Sequence, residues 1–292
     1  MPELPEVETI ANGVHARVHG QRIAGVWTSG KPQTFKSPEP EIAEALTGAT
    51  INSVRRVGKT IVMTLMRGGS KKQTGPVEFL IHLGMTGRLL VSAPDVPLPP
   101  HTHAILTLAD GREVRFVDPR RFGRLSIHKP GAPGLDSETW DSGATEDRSG
   151  YSGPGREPLT ISLDDFVALF RGRKTPIKAA LLNQSLLHGV GNIYADESLF
   201  RAGIRPLRQA GRLTRDQLTR LRKALRDVLR RAIKLGGSSV SDYVDAEGMS
   251  GYFQIEHKVY GRGGEPCLVC GAPIKKIVVG GRGTHFCVKC QK

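Results

Sequence analysis

Residues 77–117 read VEFLIHLGMTGRLLVSAPDVPLPPHTHAILTLADGREVRFV. Four runs within them, Val77–His82, Arg88–Ser92, Ala104–Leu108 and Glu113–Val117, are short, β-rich and separated by turn residues, as strands are. Asp110-Gly111 supplies the backbone conformers of a tight hairpin. Upstream, Ile51–Arg55 and Thr60–Met66 have the same character, so the strand signal extends over residues 21–128. So many short strands in succession predict an antiparallel β-sandwich. A helix over 3–19 should precede it. Pro5 suits a first helical turn, where its missing N–H does no harm. Val7, Ile10, Val14 and Val18 recur at three- and four-residue spacing before a stop at Gly20.

Downstream the signal changes. Residues 130–158 are rich in Gly, Ser, Pro and Asp and mark a domain boundary, while the polar 68–76 stretch reads as a loop. Beyond them Leu163–Phe170, Pro176–Leu187, Asn192–Ala202 and Thr214–Leu235 predict helices. In the last, Thr214 and Gln217 have capping-box spacing, and Leu218, Leu221, Leu225, Val228, Leu229, Ala232 and Ile233 form an apolar face that ends at Gly236-Gly237. Its Arg and Lys residues then form the solvated opposite face, with a DNA-reading face as the alternative. The class is α+β. The first domain should cover 1–135, a linker 136–158, a helical domain 159–256 and a metal-stapled end 257–292.

Of the 292 residues, 42 are Lys or Arg and 28 are Asp or Glu, a net charge of +14. An excess this large predicts a polyanionic partner, because each phosphate neutralised releases condensed counterions. No apolar run reaches the ~18 residues needed to span a bilayer. No basic segment followed by an apolar stretch opens the sequence. The expectation is a cytoplasmic protein with no membrane partner.

All four cysteines lie in the last 26 residues, as Cys267-Leu-Val-Cys270 and Cys287-Val-Lys-Cys290, with 16 residues between the pairs. Two such pairs let four thiolates converge on one ion, and Zn²⁺ in a closed, structural shell is the expected occupant. Disulfides or a redox pair are the alternatives. Between the pairs, Ile274–Val279, Gly280–Gly283 and His285-Phe286 read as a β-hairpin with Arg282 at its tip.

Two further stretches carry chemistry. His188-Gly-Val-Gly-Asn192 allows a tight reversal with Asn192 as N-cap, and free N–H groups at a helix start attract phosphate. An ordinary helix–helix connection explains it equally well. At the chain start, MPELPE leaves Pro2 terminal once the initiator Met is removed. Its secondary amine would have a pKa of roughly 8, against ~10.4 for lysine. Attack by such an amine on a sugar C1′ gives a cationic iminium, an electron sink that favours elimination of the flanking phosphates. Glu3 and Glu6 lie one and four residues beyond, where one could move protons and the other orient the amine. They also fit as acids complementing a helix dipole.

Taken together, MPELPEVETI at 1–10, HLGMTG at 82–87, DPRRFG at 118–123, GVGNIYADESLFRAGI at 189–204 and the terminal CxxC pairs resemble the formamidopyrimidine-DNA glycosylases, in that family's order from Pro2 to Gln291. The resemblance implies an N-terminal β-sandwich with flanking helices, a helix–two-turns–helix domain and a β-hairpin zinc finger. It implies a monomeric repair enzyme, associated with the nucleoid, acting on double-stranded DNA that contains oxidised purines or abasic sites. Such an enzyme removes 8-oxoguanine and formamidopyrimidines and cleaves the strand by β,δ-elimination. It makes Pro2 the Schiff-base nucleophile, Glu3 the proton shuttle, Lys59 a catalytic-site lysine on a turn tip and Glu6 a support. His82, Arg121, Lys178, Asn192, Tyr194 and Arg282 become DNA contacts. Met85, Arg120 and Phe122 become the residues that fill the duplex when a base is flipped out. By residue type alone, Met85 and Phe122 read as core residues. The stretch 236–254 resembles a loop that closes over the flipped base.

The sequence also departs from that pattern. The 68–76 and 142–153 stretches look long, Gly155-Arg-Glu-Pro-Leu159 stands where GPEPL is usual, and Thr86 follows Met85 where some relatives carry a carboxylate. Two other readings compete. One is a catalytically silent zinc-finger DNA-binding protein, against which Pro2, Glu3 and Lys59 argue. The other is the sister endonuclease VIII group, which cuts at oxidised pyrimidines and whose start resembles MPEGPE. Leu4 and DPRRFG argue against that one.

Overall fold

The computed structural model describes residues 1–67, 76–129, 150–238 and 251–292. Most of the 68–76 loop, of the 136–158 linker and of the 236–254 loop therefore lies outside the described residues. The chain forms two compact units. Unit 1 holds Met1–Pro2 and Glu6–Gly153, and unit 2 holds Glu3–Pro5, Pro154–Ser238 and Tyr252–Lys292.

Unit 1 contains α1 (Leu4–Val18) from Glu6 on, then β1 (Ile23–Thr28), α2 (Glu39–Leu46), β2 (Thr50–Val57), β3 (Thr60–Met66), β4 (Val77–His82), β5 (Arg88–Ser92), β6 (Thr102–Leu108), β7 (Glu113–Val117) and β8 (Arg124–His128). Two four-stranded antiparallel sheets result, in the orders β1-β6-β7-β5 and β2-β3-β4-β8. Alternate residues of each strand reach one shared core: Ile61, Met63 and Leu65 from β3, Leu106 and Leu108 from β6, Val114 and Phe116 from β7. Val7, Ile10, Val14 and Val18 of α1 pack into the same core, which is why that stripe recurs at helical spacing. Gly111, with φ +89°, makes the β6–β7 reversal that Asp110-Gly111 predicted. Elements α2, β1 and β8 carried too little sequence signal to be anticipated.

Unit 2 contains α3 (Leu163–Phe170), α4 (Ile177–Leu182), α5 (Asn192–Ala202), α6 (Arg215–Lys234) and the hairpin β9 (Ile274–Val279) and β10 (Arg282–Cys287). The capping box of α6 forms fully: Gln217 N–H donates to Thr214 Oγ1 at 3.2 Å and Thr214 N–H to Gln217 Oε1 at 3.0 Å. Helix α4 is shorter than expected. It ends at Leu182 because Asn183 Oδ1 accepts from both the N–H and the hydroxyl of Ser185, turning the chain well before Leu187. Helix α5 packs against α6 and against β10. Its buried Tyr194, Ala195 and Leu199 join Leu221, Leu225 and Val228 of α6 in the unit's main core. Arg282 stands one place past the tip, paired with Val279 as the first residue of β10, and the two-residue turn is Gly280-Gly281. Among the described residues no helix is long and apolar enough to cross a membrane.

Candidate functional site

In unit 1, two turns are locked together by one buried carboxylate. Asp118 is fully buried. Its Oδ1 accepts from Thr86 Oγ1 at 2.6 Å and from Arg120 N–H at 3.2 Å, and its Oδ2 from Gly123 N–H at 2.7 Å. Gly84 closes the contact. It has φ +64°, and a Cβ there would lie 2.5 Å from the Phe122 carbonyl carbon. On this base stand Met85, 41% exposed, and Phe122, 50% exposed, with the Arg120 guanidinium carbon 4.7 Å from the Phe122 ring centre. The core reading of Met85 and Phe122 is thereby overturned. Arg121, exposed and held at φ +55°, completes the turn. Two large apolar groups and two guanidiniums thus stand in water on a hydrogen-bonded base, a candidate binding feature. Sequence reasoning did not single out Asp118, although its place at the head of a turn motif was the available signal.

Lys59 sits on the β2–β3 turn. Glu8 of α1 holds Arg56 at 2.5 Å, and Arg56 Nη1 donates to the Gly58 carbonyl at 3.3 Å, which fixes that turn. His82 is paired with Thr60 across β3–β4 and with Arg124 across β4–β8. Its Nδ1 accepts from Gly84 N–H at 3.1 Å, so the neutral ring carries its proton on Nε2. Burial, then the charges of Lys59 and Arg124, push its pKa down to about 4. His82 is thus a neutral donor beside two cations at physiological pH, suited to a phosphate oxygen. Pro2 and Glu6 are both buried.

In unit 2, Glu3 supplies what the start of α5 lacks. The cap position is Gly191, not Asn192, and it offers no side chain. Glu3 Oε1 accepts from Ile193 N–H at 3.1 Å and Oε2 from Tyr194 N–H at 3.5 Å. A Cβ on Gly191 would lie 2.1 Å from the Glu3 carboxyl carbon, so only glycine admits this approach. Two of the N–H groups expected to draw phosphate, those of Ile193 and Tyr194, are therefore already occupied. Asn192, first residue of the helix, instead donates from Nδ2 to the Gly283 carbonyl at 3.0 Å.

Lys178 converges on the same carbonyl. Its ammonium lies 2.7 Å from Asp196 Oδ1 and donates to Gly283 O at 2.9 Å and Thr284 Oγ1 at 2.8 Å. Burial pulls its pKa below the ordinary value, and Asp196 and then Glu3 oppose that shift. Asp196 Oδ2 also accepts from His285 N–H at 2.9 Å. The backbone beside exposed Arg282 is in this way tied to α4 and α5. Lys178 and Tyr194 are fully buried, Tyr194 with its ring 5.5 Å from Phe253. Sequence reasoning missed Asp196 and Glu197. The latter accepts the N–H groups of Lys258, Val259 and Tyr260 at 2.9–3.0 Å, anchoring the segment that leads to the zinc hairpin. Two adjacent acids midway along α5, set among Tyr194, Ala195 and Leu199, were the signal, since buried acids need partners.

The four cysteine sulfurs lie within 4.8 Å of one another. The pairs Cys267–Cys290 and Cys270–Cys287 are 3.9 and 3.4 Å apart. Four sulfurs at about 2.3 Å from one tetrahedral ion would stand roughly 3.8 Å apart, so the donor set fits Zn²⁺ and not a pair of disulfides. Burial and the neighbouring sulfurs push the Cys290 thiol up to about 12, a crowding that a divalent cation relieves. All four coordination positions are filled by protein, which makes the zinc structural.

Comparison with known proteins gives one answer. The family model "Formamidopyrimidine-DNA glycosylase N-terminal domain" matches residues 1–125, the H2TH domain of the same enzymes matches 154–244, and "Zinc finger found in FPG and IleRS" matches 264–292. A formamidopyrimidine-DNA glycosylase of Solibacter usitatus is 44% identical over the full length of both chains. One of Symbiobacterium thermophilum is 42% identical over all of this chain and 89% of its own. Among solved structures, a Lactococcus lactis Fpg variant complexed with Fapy-dG-containing DNA matches with TM-score 0.84 and 32% identity over all of both chains. The MutM (Fpg) protein of Thermus thermophilus matches with TM-score 0.80 and 40% identity over 99% of this chain and 98% of that one. The L. lactis enzyme with abasic-site DNA matches with TM-score 0.83. The chain belongs to the formamidopyrimidine-DNA glycosylase family of DNA repair glycosylases and AP lyases.

Proposed function

We propose that this protein excises oxidised purines from duplex DNA through a Schiff base on Pro2 and cleaves the strand by β,δ-elimination. The observation that carries the reading is the exposed Met85, Arg120 and Phe122 set on its Asp118-braced turns. An apolar wedge beside a guanidinium suits a gap left by a flipped base, with Arg120 donating to the orphaned cytosine. The L. lactis relatives crystallised with Fapy-dG and abasic DNA support the same substrate class.

With Met1 removed, the Pro2 nitrogen attacks C1′ and gives its proton to the Glu3 carboxylate, which passes it to the departing base as the bond to the base breaks. Opening of the sugar ring gives the iminium, with positive charge on nitrogen. Loss of a C2′ proton expels the 3′ phosphate, a second elimination expels the 5′ phosphate, and water releases the proline. Lys59, His82 and Arg121 serve as phosphate contacts in unit 1, and Arg282 in unit 2. Lys178 and Asn192 act through Arg282, because both hold the Gly283 carbonyl. Tyr194 serves through its backbone and its packing.

Borohydride trapping on 8-oxoguanine:cytosine duplex, followed by mapping of the adduct, tests the mechanism. The linkage should fall on Pro2, and Pro2→Gly should lose trapping and cleavage while retaining duplex binding. A linkage on an internal side chain would overturn it. Faster excision from thymine glycol than from 8-oxoguanine would overturn the substrate class.

A further inference from the structure

Helix α6 carries eight basic residues and two acidic ones. Arg215, Lys223 and Arg231 are paired with Asp164, Asp227 and Glu256. Arg222, Arg226, Arg230 and Lys234 differ. They follow at four-residue steps, so they form one ridge with a spacing of about 6 Å. Arg222 spends its guanidinium on the Ile161 carbonyl. Arg226 has an Nε that is shielded from water and has no hydrogen-bond partner. Burial, then the guanidiniums of Arg222 and Arg230, lower its pKa. The nearest acid, Asp227, is held by Lys223.

Like charges four residues apart oppose helix formation. The ridge places three such contacts in succession, while Arg215, Lys223 and Arg231 use ion pairs. The opposite face, Leu221, Leu225, Val228 and Ala232, is buried on the side that meets α5. Helix α5 in turn meets β10, so it stands between this ridge and Arg282.

We propose that Arg226, Arg230 and Lys234 bind the phosphate backbone of a second duplex DNA segment, separate from the one carrying the damage. Each step along the ridge, about 6 Å, is close to the ~7 Å between adjacent phosphates of one strand, which winds as it rises by roughly 3.4 Å per phosphate. A regular polyanion therefore meets successive cations. Binding of this kind would hold the enzyme to intact DNA while the lesion site works on another stretch. It is independent of the chemistry at Pro2.

The test uses the zinc-loaded full chain and two undamaged duplexes, one labelled with an energy donor and the other with an acceptor. Wild-type protein should bring them together, with transfer that falls steeply as salt rises. The triple variant Arg226→Gln, Arg230→Gln, Lys234→Gln should need at least about tenfold more protein, and its log-affinity against log-salt slope should shrink by about 2.7. Glutamine keeps helix propensity, so the thermal midpoint should hold or rise as repulsion is removed. No transfer with the wild type, or an unchanged slope in the variant, would overturn the proposal. So would ridge-dependent binding of single-stranded RNA in preference to duplex DNA.

Discussion

Two buried titratable groups, His82 in unit 1 and Lys178 in unit 2, are met in opposite ways. In unit 1, burial and then the charges of Lys59 and Arg124 keep the His82 ring neutral, and Arg120 and Arg121 stand in solvent. In unit 2, Lys178 is as buried as a leucine, and Asp196, Thr284 and Gly283 give its ammonium three partners. The first arrangement leaves its electrostatic demand to be met by a ligand. The second meets it within the fold and converts it into positional precision for the turn beside Arg282. Residue type alone does not separate these roles; the company of each side chain does.

Variants can break that contrast, beginning with the largest change. Asp196→Ala leaves Lys178 buried without its acid, and urea unfolding should show a loss of about 3–5 kcal/mol. Adding Lys178→Met to the same chain should return most of it. A wild-type midpoint in the single variant would mean the pair is not coupled. Asp118→Ala removes a charged acceptor from three donors. It should lower stability by about 1.5–3 kcal/mol and weaken binding of damaged duplex.

Acidification acts through His82 and His257, both held at about 4, chiefly by burial. The unfolded chain takes up these protons first, at a pKa of roughly 6.5. Their contribution is therefore present above that pH and lost as pH falls towards 4. In a thermal-midpoint series His82→Gln should flatten part of this decline, and an identical curve would dismiss the assignment. Smallest in stability is Phe122→Ala, expected within about 0.5 kcal/mol. Excision by that variant should nonetheless slow about tenfold, the scale of one lost stacking contact. A loss of stability with intact excision would make Phe122 a core residue after all.

The sequence conveyed local features well. Strands β3, β4, β5 and β7 end where their turn residues say, and the α6 capping box needs only Thr214 and Gln217. Strand β1 was not legible because only Ile23 of its six residues is fully buried, which erases the alternation. Helix α2 is eight residues long with Pro40 inside its first turn. The five residues of β8 follow the DPRRFG turn too closely for a separate signal. At the site, the nucleophile candidate, the proposed wedge residues and the zinc ligands were visible as motifs. The cap of α5 was not, since its acceptor comes from Glu3, 190 residues away. The burial of Lys178 was hidden for the same reason: its partners on β10 lie more than 100 positions along.

The strap that Glu3 makes across the start of α5 has a consequence for biosynthesis. A ribosome adding about 5–20 residues each second would emit Glu3 roughly 10–40 seconds before the amides of Ile193 and Tyr194 exist. Through that interval the acidic anchor waits in a nascent chain, and the first helical turn has nothing to close against. Maturation of the amino end is therefore tied to completion of the helical body, so a polypeptide stalled before α5 would leave the ribosome with its leading residues still loose.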